Sequence, residues 1–144
     1  MKLKNIGIVV GQVIKMNGSI NVDNDVERNF TIYRGNSGTG KTALLAGRAI
    51  QANWHGKKVL WLSADFIDDH IRDIATDCVA IHDLSTLRQI MDSDQFHLYD
   101  MVVFDEIGRL DIPRNILGSQ CISDFRSRKK KDGQVRLCSL TVRR

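Results

Sequence analysis

Residues 35–42 read Gly35-Asn36-Ser37-Gly38-Thr39-Gly40-Lys41-Thr42 and fit the pattern G-x-x-x-x-G-K-[ST] at every fixed position. Glycines allow the backbone to come close to a charged ligand, and the N–H groups of such a loop then point toward phosphate oxygens. Lys41 is predicted to reach the β and γ phosphates and to take part in catalysis, while the Thr42 hydroxyl is predicted to bind Mg²⁺. The motif therefore predicts a site for ATP and Mg²⁺ in which all of residues 35–42 surround the phosphates.

The segments on both sides of this loop provide the context that the motif requires. Residues 30–33 are β-branched and aromatic, which is typical of a buried strand, and residues 43–54 place apolar side chains at helical spacing. The helix is expected to begin at Lys41, where its N-terminal dipole adds to the attraction for phosphate. This order of strand, loop and helix favours a phosphate-binding loop over a chance glycine-rich turn.

Apolar runs alternate with helical patterns along the rest of the chain. Further strands are predicted at residues 59–63, 78–82, 98–104 and 135–142, and helices at residues 66–75, 84–91 and 115–128. Short β segments are predicted at residues 6–10, 12–16 and 19–22, with a small hairpin turning at Asn17-Gly18 and a polar connection at residues 23–28.

This alternation predicts an α/β protein with a mostly parallel central sheet covered on both faces. Together with the motif at residues 35–42, it indicates the three-layer fold of P-loop nucleoside triphosphatases. We expect residues 1–28 to form an N-terminal β leader that includes the small hairpin and packs on the core. Residues 29–144 are then expected to form the P-loop ATPase core.

Two carboxylates, Asp105 and Glu106, follow the apolar strand at residues 98–104. Open α/β sheets bind ligands at the carboxyl ends of their strands, so this pair is expected to lie near the phosphate loop. Asp105 is predicted to hold Mg²⁺ together with Thr42, directly or through water. Glu106 is predicted to polarise the attacking water as a general base. The pair therefore indicates that the bound nucleotide is hydrolysed.

Two further groups are expected for hydrolysis. A polar side chain near the end of the last strand would sense the γ-phosphate, and Ser139 and Thr141 are the candidates. A cation would neutralise developing charge, in many cases as an arginine from a neighbouring subunit. The sequence does not choose among the candidates for this cation, which are Arg114, Arg126, Arg128, Arg143 and Arg144.

The composition is typical of one globular domain. The chain has 144 residues, 42% of them hydrophobic, and no apolar run reaches membrane-spanning length. The apolar part of the N-terminus is too short to be expected to act as a signal peptide. Three cysteines without paired or metal-binding spacing indicate a reducing compartment. We therefore expect a cytoplasmic protein, found in the host cytoplasm or the virion if it is viral.

Positive charge is concentrated near the C-terminal end. The net charge is +4, yet residues 126–144 contain eight basic residues and one acidic residue, so this segment sums to +7 and the remainder to −3. Such a cluster is either a solvated basic face or a surface that contacts the phosphates of a nucleic acid. Both interpretations stay open from the sequence.

The motif at residues 35–42 together with Asp105-Glu106 resembles the Walker A and Walker B motifs of P-loop ATPases of the additional-strand, catalytic-glutamate group. The resemblance covers residues 29–144. The acidic pair, the basic segment at residues 126–130 and the strand after it resemble FtsK/HerA-type DNA pumps and viral packaging or zonula-occludens-toxin-like ATPases. Residues 42–63 are similar to RecA-like and DnaB-like ATPases, and the AAA+ helicase loaders are a further possibility.

Two departures from these families concern the site. RecA-like families carry a catalytic glutamate soon after the strand at residues 59–63, where this chain has Ala64-Asp65. The pump-like families commonly place a glutamine in the final strand, and residues 135–142 contain none.

The resemblance implies a Mg²⁺-dependent ATPase that acts on nucleic acid, with DNA favoured over RNA, as a DNA translocation or packaging motor. It also implies a homo-oligomeric ring. The alternatives are a RecA/DnaB-like or helicase-loader ATPase, a nucleotide or nucleoside kinase, and a nucleotide-gated binding protein without motor activity. In the last of these, Glu106 would be structural.

Overall fold

A computed structural model describes residues 19–110 and 133–141 of the chain. Several predictions from the sequence lie outside these residues. They are the β segments at residues 6–10 and 12–16, the helix at residues 115–128, most of the basic cluster, and Arg114, Arg126, Arg128, Arg143 and Arg144.

The described residues form six strands, three α-helices and two 3₁₀ turns. The strands are β1 (Asn21–Asp25), β2 (Phe30–Gly35), β3 (Val59–Ser63), β4 (Asp77–Ala80), β5 (Met101–Asp105) and β6 (Val135–Thr141). The helices are α1 (Lys41–Trp54), α2 (Asp69–Ile74) and α3 (Leu84–Asp92), and the 3₁₀ turns are Asp94–Leu98 and Ile107–Arg109.

The strands form one sheet in the order β1-β2-β6-β5-β3-β4. Only β1 is antiparallel to its neighbour, and β2, β6, β5, β3 and β4 run parallel. Because β6 lies between β2 and β5, it separates the strand before the phosphate loop from the strand before Asp105. The carboxyl ends of these parallel strands meet at one edge of the sheet, which is where open α/β sheets bind ligands.

Helices cover both faces of the sheet, so the fold has three layers. On one face, Leu45 and Ala49 of α1 pack with Trp61 and Val103 of the sheet. On the other face, Leu87 of α3 packs in a cluster with the stacked rings of Phe30 and Phe104. The strands β3 and β5 are buried on both faces, and each is apolar up to its last residue, as expected for central parallel strands. The predicted three-layer α/β fold is confirmed.

An N-terminal antiparallel hairpin is also present, but its strands differ from the expected ones, and the turn predicted at Asn17-Gly18 lies outside the described residues. It joins β1 to β2 through a turn at residues 26–29, in which Asn29 adopts a φ of 51°. Residues 23–25 had been assigned to a polar connection, and this assignment is wrong because they extend β1. The strand is polar because it lies at the sheet edge, where a side chain such as Asn24 stays in water and accepts a hydrogen bond from Thr31.

The strand predicted at residues 78–82 is β4 (Asp77–Ala80), and two other segments differ further from the sequence prediction. Helix α2 begins at Asp69, three residues later than predicted, and Phe66 is 72% exposed instead of packing on the core. Residues 98–100 precede β5 instead of belonging to it, because Leu98 ends a 3₁₀ turn. In both places, apolar residues next to an element had been counted as part of it.

Arg136 is the member of the basic cluster that lies within the described residues. It lies within β6, pairs in register with Phe30 and Val102, and is only 1% exposed. This residue therefore does not belong to a solvated basic face or to a surface that contacts nucleic acid.

Among the described residues, the helices are too short or too polar to cross a membrane.

Candidate nucleotide-binding site

The phosphate loop connects β2 to α1 and depends on glycine at two positions. Gly40 precedes α1 with a φ of 95°, a left-handed conformation that other residues adopt only with strain. A Cβ at Gly35 would lie 2.9 Å from Oγ1 of Thr39, which is buried and donates to the carbonyl of Asn36 at 2.8 Å. The glycines thus allow the chain to turn tightly between β2 and α1.

Lys41, the first residue of α1, extends back across the loop. Its Nζ donates to the carbonyl oxygens of Gly35 at 2.9 Å and Asn36 at 2.8 Å, and the residue is 4% exposed. Burial lowers the pKa of the Lys41 ammonium, and the nearby carboxylates of Glu106 and Asp105 oppose that change. The loop therefore holds a poorly solvated cation, which would gain from a phosphate oxygen nearby.

The N-terminus of α1 offers further donors to an anion. Its N-cap is Gly40, no side chain caps it among the described residues, and the first turn contains no acidic residue. The first N–H groups of a helix have no intrahelical partner and carry partial positive charge. A phosphate group would accept hydrogen bonds from these N–H groups and complement their charge, so the structure fits the ligand that the motif predicts.

Thr42 and Asp105 come together from different elements. Oγ1 of Thr42 lies 3.2 Å from Oδ1 and 3.3 Å from Oδ2 of Asp105, at the end of β5. Asp105 is 4% exposed, and burial, together with the negative charges of Glu106 and Asp65, raises its pKa; hydrogen bonds from Ser139 and Thr42 act in the opposite direction. A buried carboxylate beside a hydroxyl is an all-oxygen donor pair that suits Mg²⁺, and Thr42 and Asp105 would hold the ion.

Glu106 has an unusual backbone and a crowded carboxylate. Its φ of 54° and ψ of 36° place it in the left-handed region, which turns the chain sharply after β5. Oγ1 of Thr141 lies 2.9 Å from Oε1 and 2.7 Å from Oε2 of Glu106, and Nε of Arg109 donates to Oε2 at 3.3 Å. The side chain is thus held by β6 and by the turn that follows β5.

Ser139 and Thr141, predicted to sense a γ-phosphate, contact the two acidic residues. They are two residues apart on β6 and lie on the face of the sheet that α1 covers. Ser139 Oγ donates to Asp105 at 2.6 Å and accepts the Glu106 N–H at 3.0 Å, while Thr141 contacts the Glu106 carboxylate. Contact with phosphate stays a prediction for both residues.

Arg109 and Asp65 were not predicted as site residues. Arg109 ends the 3₁₀ turn after Glu106, and its Nη1 lies 3.7 Å from Oδ2 of Asp65, just beyond β3. The spacing of three residues between Glu106 and Arg109 was a usable signal, because side chains three apart share a face within one turn. The contact between Asp65 and Arg109 could be predicted only with the knowledge that β3 and β5 are neighbours.

No protein-family model and no curated protein matches this sequence. Among solved structures, the chain is similar to the flagellar accessory protein FlaH from Methanocaldococcus jannaschii, with a TM-score of 0.51 and 14% sequence identity. The similarity covers 76% of this chain and 59% of the FlaH chain, so the present chain spans about three fifths of that protein.

This likeness supports a RecA-like P-loop fold and shows the fold alone. It does not distinguish the FtsK/HerA type from other members of the group. The fold and the phosphate loop therefore define a three-layer α/β domain of the P-loop class.

Proposed function

We propose that this chain binds ATP with Mg²⁺ at residues 35–42 and hydrolyses it. The observation that carries the proposal is the contact of Thr42, the second residue of α1, with Asp105, which ends β5, at 3.2 Å. The two residues are 63 positions apart, and the sheet order alone brings them together. A phosphate loop beside an acidic pair is the arrangement that Mg²⁺-dependent phosphoryl transfer requires.

Each site residue has a role in this proposal. The loop N–H groups and Lys41 would bind the phosphates, and Mg²⁺, held by Thr42 and Asp105, would neutralise part of their charge. Glu106 would accept a proton from a water molecule as the water oxygen bonds to the γ-phosphorus. The bond from that phosphorus to the bridging oxygen would break, and ADP and inorganic phosphate would be the products.

The hydrolysis is further proposed to drive movement or remodelling of nucleic acid, with DNA favoured over RNA, by a homo-oligomeric ring. The sequence supports this step through the resemblance to DNA pumps and packaging ATPases and through the basic cluster at residues 126–144. With Arg136 buried in β6, seven basic residues of that cluster are left to meet phosphates. A cytoplasmic location, in the host or the virion if viral, belongs to the same proposal.

A nucleotide-gated binding protein is the second candidate. Thr141 and Arg109 already occupy both oxygens of the Glu106 carboxylate, so a water molecule would have to compete for this group. A protein that binds ATP and releases it unchanged would need no free base. A RecA/DnaB-like ATPase or a helicase loader remains compatible with the fold.

Phosphate release measured across a protein concentration series, with single-stranded DNA, duplex DNA or RNA, tests the proposal. A motor predicts turnover that rises with nucleic acid and with assembly, and Lys41→Ala provides the background. ATP turnover unaffected by any nucleic acid would contradict the motor and leave an ATPase. Tight ATP binding without turnover would favour the gated binding protein.

A further inference from the structure

We propose that Arg109 is a positioning residue for hydrolysis: anchored by Asp65, it holds the Glu106 carboxylate in its place at the carboxyl edge of the sheet. This inference rests on the proposed function, because it concerns the group assigned as the base. Among the described residues, Arg109 supplies a cationic side chain at the site in addition to that of Lys41.

The turn that carries Arg109 is fixed relative to Glu106. The Arg109 N–H donates to the Glu106 carbonyl at 3.0 Å, closing the 3₁₀ turn Ile107–Arg109, and Ile107 is fully buried. Within this turn, Nε of Arg109 reaches Oε2 of Glu106 at 3.3 Å. The Arg109 side chain therefore extends from a rigid backbone turn, and its guanidinium loses little conformational freedom when it contacts the Glu106 carboxylate.

Asp65 is equally well placed to hold the other side of the guanidinium. Its N–H donates to Ser63 Oγ at 3.0 Å, and its Oδ1 accepts the Phe66 N–H at 2.8 Å, which leaves Oδ2 to face Arg109 at 3.7 Å. The neighbouring Ala64 N–H donates to the Asp105 carbonyl at 3.1 Å and joins this segment to β5. Arg109 thus spans two carboxylates that follow neighbouring strands.

Exposure indicates that these contacts orient Glu106 more than they stabilise the fold. The side chains of Arg109 and Asp65 are 44% and 46% exposed, and ion pairs at such sites add little to stability. Glu106 is only 10% exposed at its side chain, so protein groups such as Arg109 and Thr141 set the direction in which its carboxylate faces. Misplacing a catalytic group by about 1 Å can reduce a rate by about a hundredfold.

The test combines turnover with a solution probe of the contact. As a single substitution, Arg109→Gln should lower kcat about tenfold relative to the wild-type protein and leave the KM for ATP within about twofold of the wild-type value. Asp65→Asn should cause a smaller loss, and Arg109→Lys should restore activity only in part, because an ammonium cannot span both carboxylates. Arg28→Gln is the matched control, since Arg28 forms a half-exposed pair with Asp25 at the same spacing but far from the site.

A double-mutant cycle separates positioning from general structural damage. If Arg109 acts through Glu106, then Arg109→Gln should not lower the residual turnover of Glu106→Gln any further. An undiminished kcat in Arg109→Gln, or an equal loss in both backgrounds, would overturn the inference. Absence of ATP turnover in the wild-type protein would instead reject the proposed function, and the inference with it.

The contact itself can be observed without turnover by ¹⁵N NMR of the free protein. The Nε–H resonance of Arg109 should shift in Glu106→Gln and in Asp65→Asn and stay unchanged in the control Asp73→Asn. A resonance insensitive to both site substitutions would mean that Arg109 does not hold Glu106 in solution and would overturn the inference even if kcat falls.

Discussion

The Ser139 hydroxyl on β6 donates a 2.6 Å hydrogen bond to Oδ1 of Asp105 at the end of β5. The same hydroxyl accepts the backbone N–H of Glu106 at 3.0 Å. One fully buried side chain on the strand between β2 and β5 therefore contacts both residues of the acidic pair. The position of β6 explains how the pair is held beside the phosphate loop.

Replacing Ser139 with alanine should destabilise the protein by about 1–3 kcal/mol, because a buried N–H and a buried carboxylate oxygen each lose a partner. Urea unfolding of the nucleotide-free protein measures this change. Ser85→Ala, at an exposed position of α3, is the matched control and should change stability little. Equal stabilities of Ser139→Ala and the control would show that the hydroxyl does not hold the acidic pair.

Lys41→Ala should weaken ATP binding about 10- to 100-fold, because it removes a charge-assisted contact with phosphate. Equilibrium binding of a fluorescent ATP analogue measures the affinity. Lys57→Ala removes an exposed lysine beyond the end of α1 and should leave the affinity unchanged. If both variants bind as tightly as wild type, residues 35–42 do not form the nucleotide site.

Asp105→Asn should stabilise the nucleotide-free protein at pH 7. Burial raises the pKa of Asp105, so the folded protein binds the proton more tightly than the unfolded chain and loses stability as the pH rises through the folded pKa. Asparagine carries no charge, so its advantage should be greatest above this pKa and shrink as the pH falls toward the ordinary value of 3.8.

Urea midpoints between pH 7 and pH 4 test this dependence, with Asp73→Asn as an exposed control. Mg²⁺ with ATP should reverse the order, because only the wild-type carboxylate would hold the ion. A variant that is less stable than wild type at pH 7 without ligand, or that gains as much from Mg²⁺ and ATP, contradicts the role assigned to Asp105.

The sequence predicted the elements whose patterns are set by their own residues. The strand Val59–Ser63 has the predicted bounds, because a nearly continuous apolar run after Lys58 is typical of a strand buried on both faces. Helix α3 follows Asp83, whose side chain caps it by accepting the Thr86 N–H at 2.7 Å, as expected from residue type. Helix α1 begins at the expected Lys41.

Features that depend on neighbours in the sheet were harder to predict. The polar strand β1 exists because β2 provides an edge, and its own residues resemble a connection. The sequence predicts that Arg136 belongs to a charged surface, yet this residue is buried because β6 lies in the middle of the sheet. The contacts of Ser139 and Thr141 with the acidic pair, and the pairing of Asp65 with Arg109, follow from strand order, which no local pattern contains.

The comparison of Glu106→Gln with wild type at saturating ATP tests the proposed hydrolysis most directly. Glutamine keeps the shape of the side chain but cannot accept a proton from water, so turnover should fall about 100-fold or more while ATP affinity stays within about threefold. Phosphate release and equilibrium ATP binding should be measured on the same preparations. Undiminished phosphate release by Glu106→Gln would contradict the assignment of Glu106 as the base.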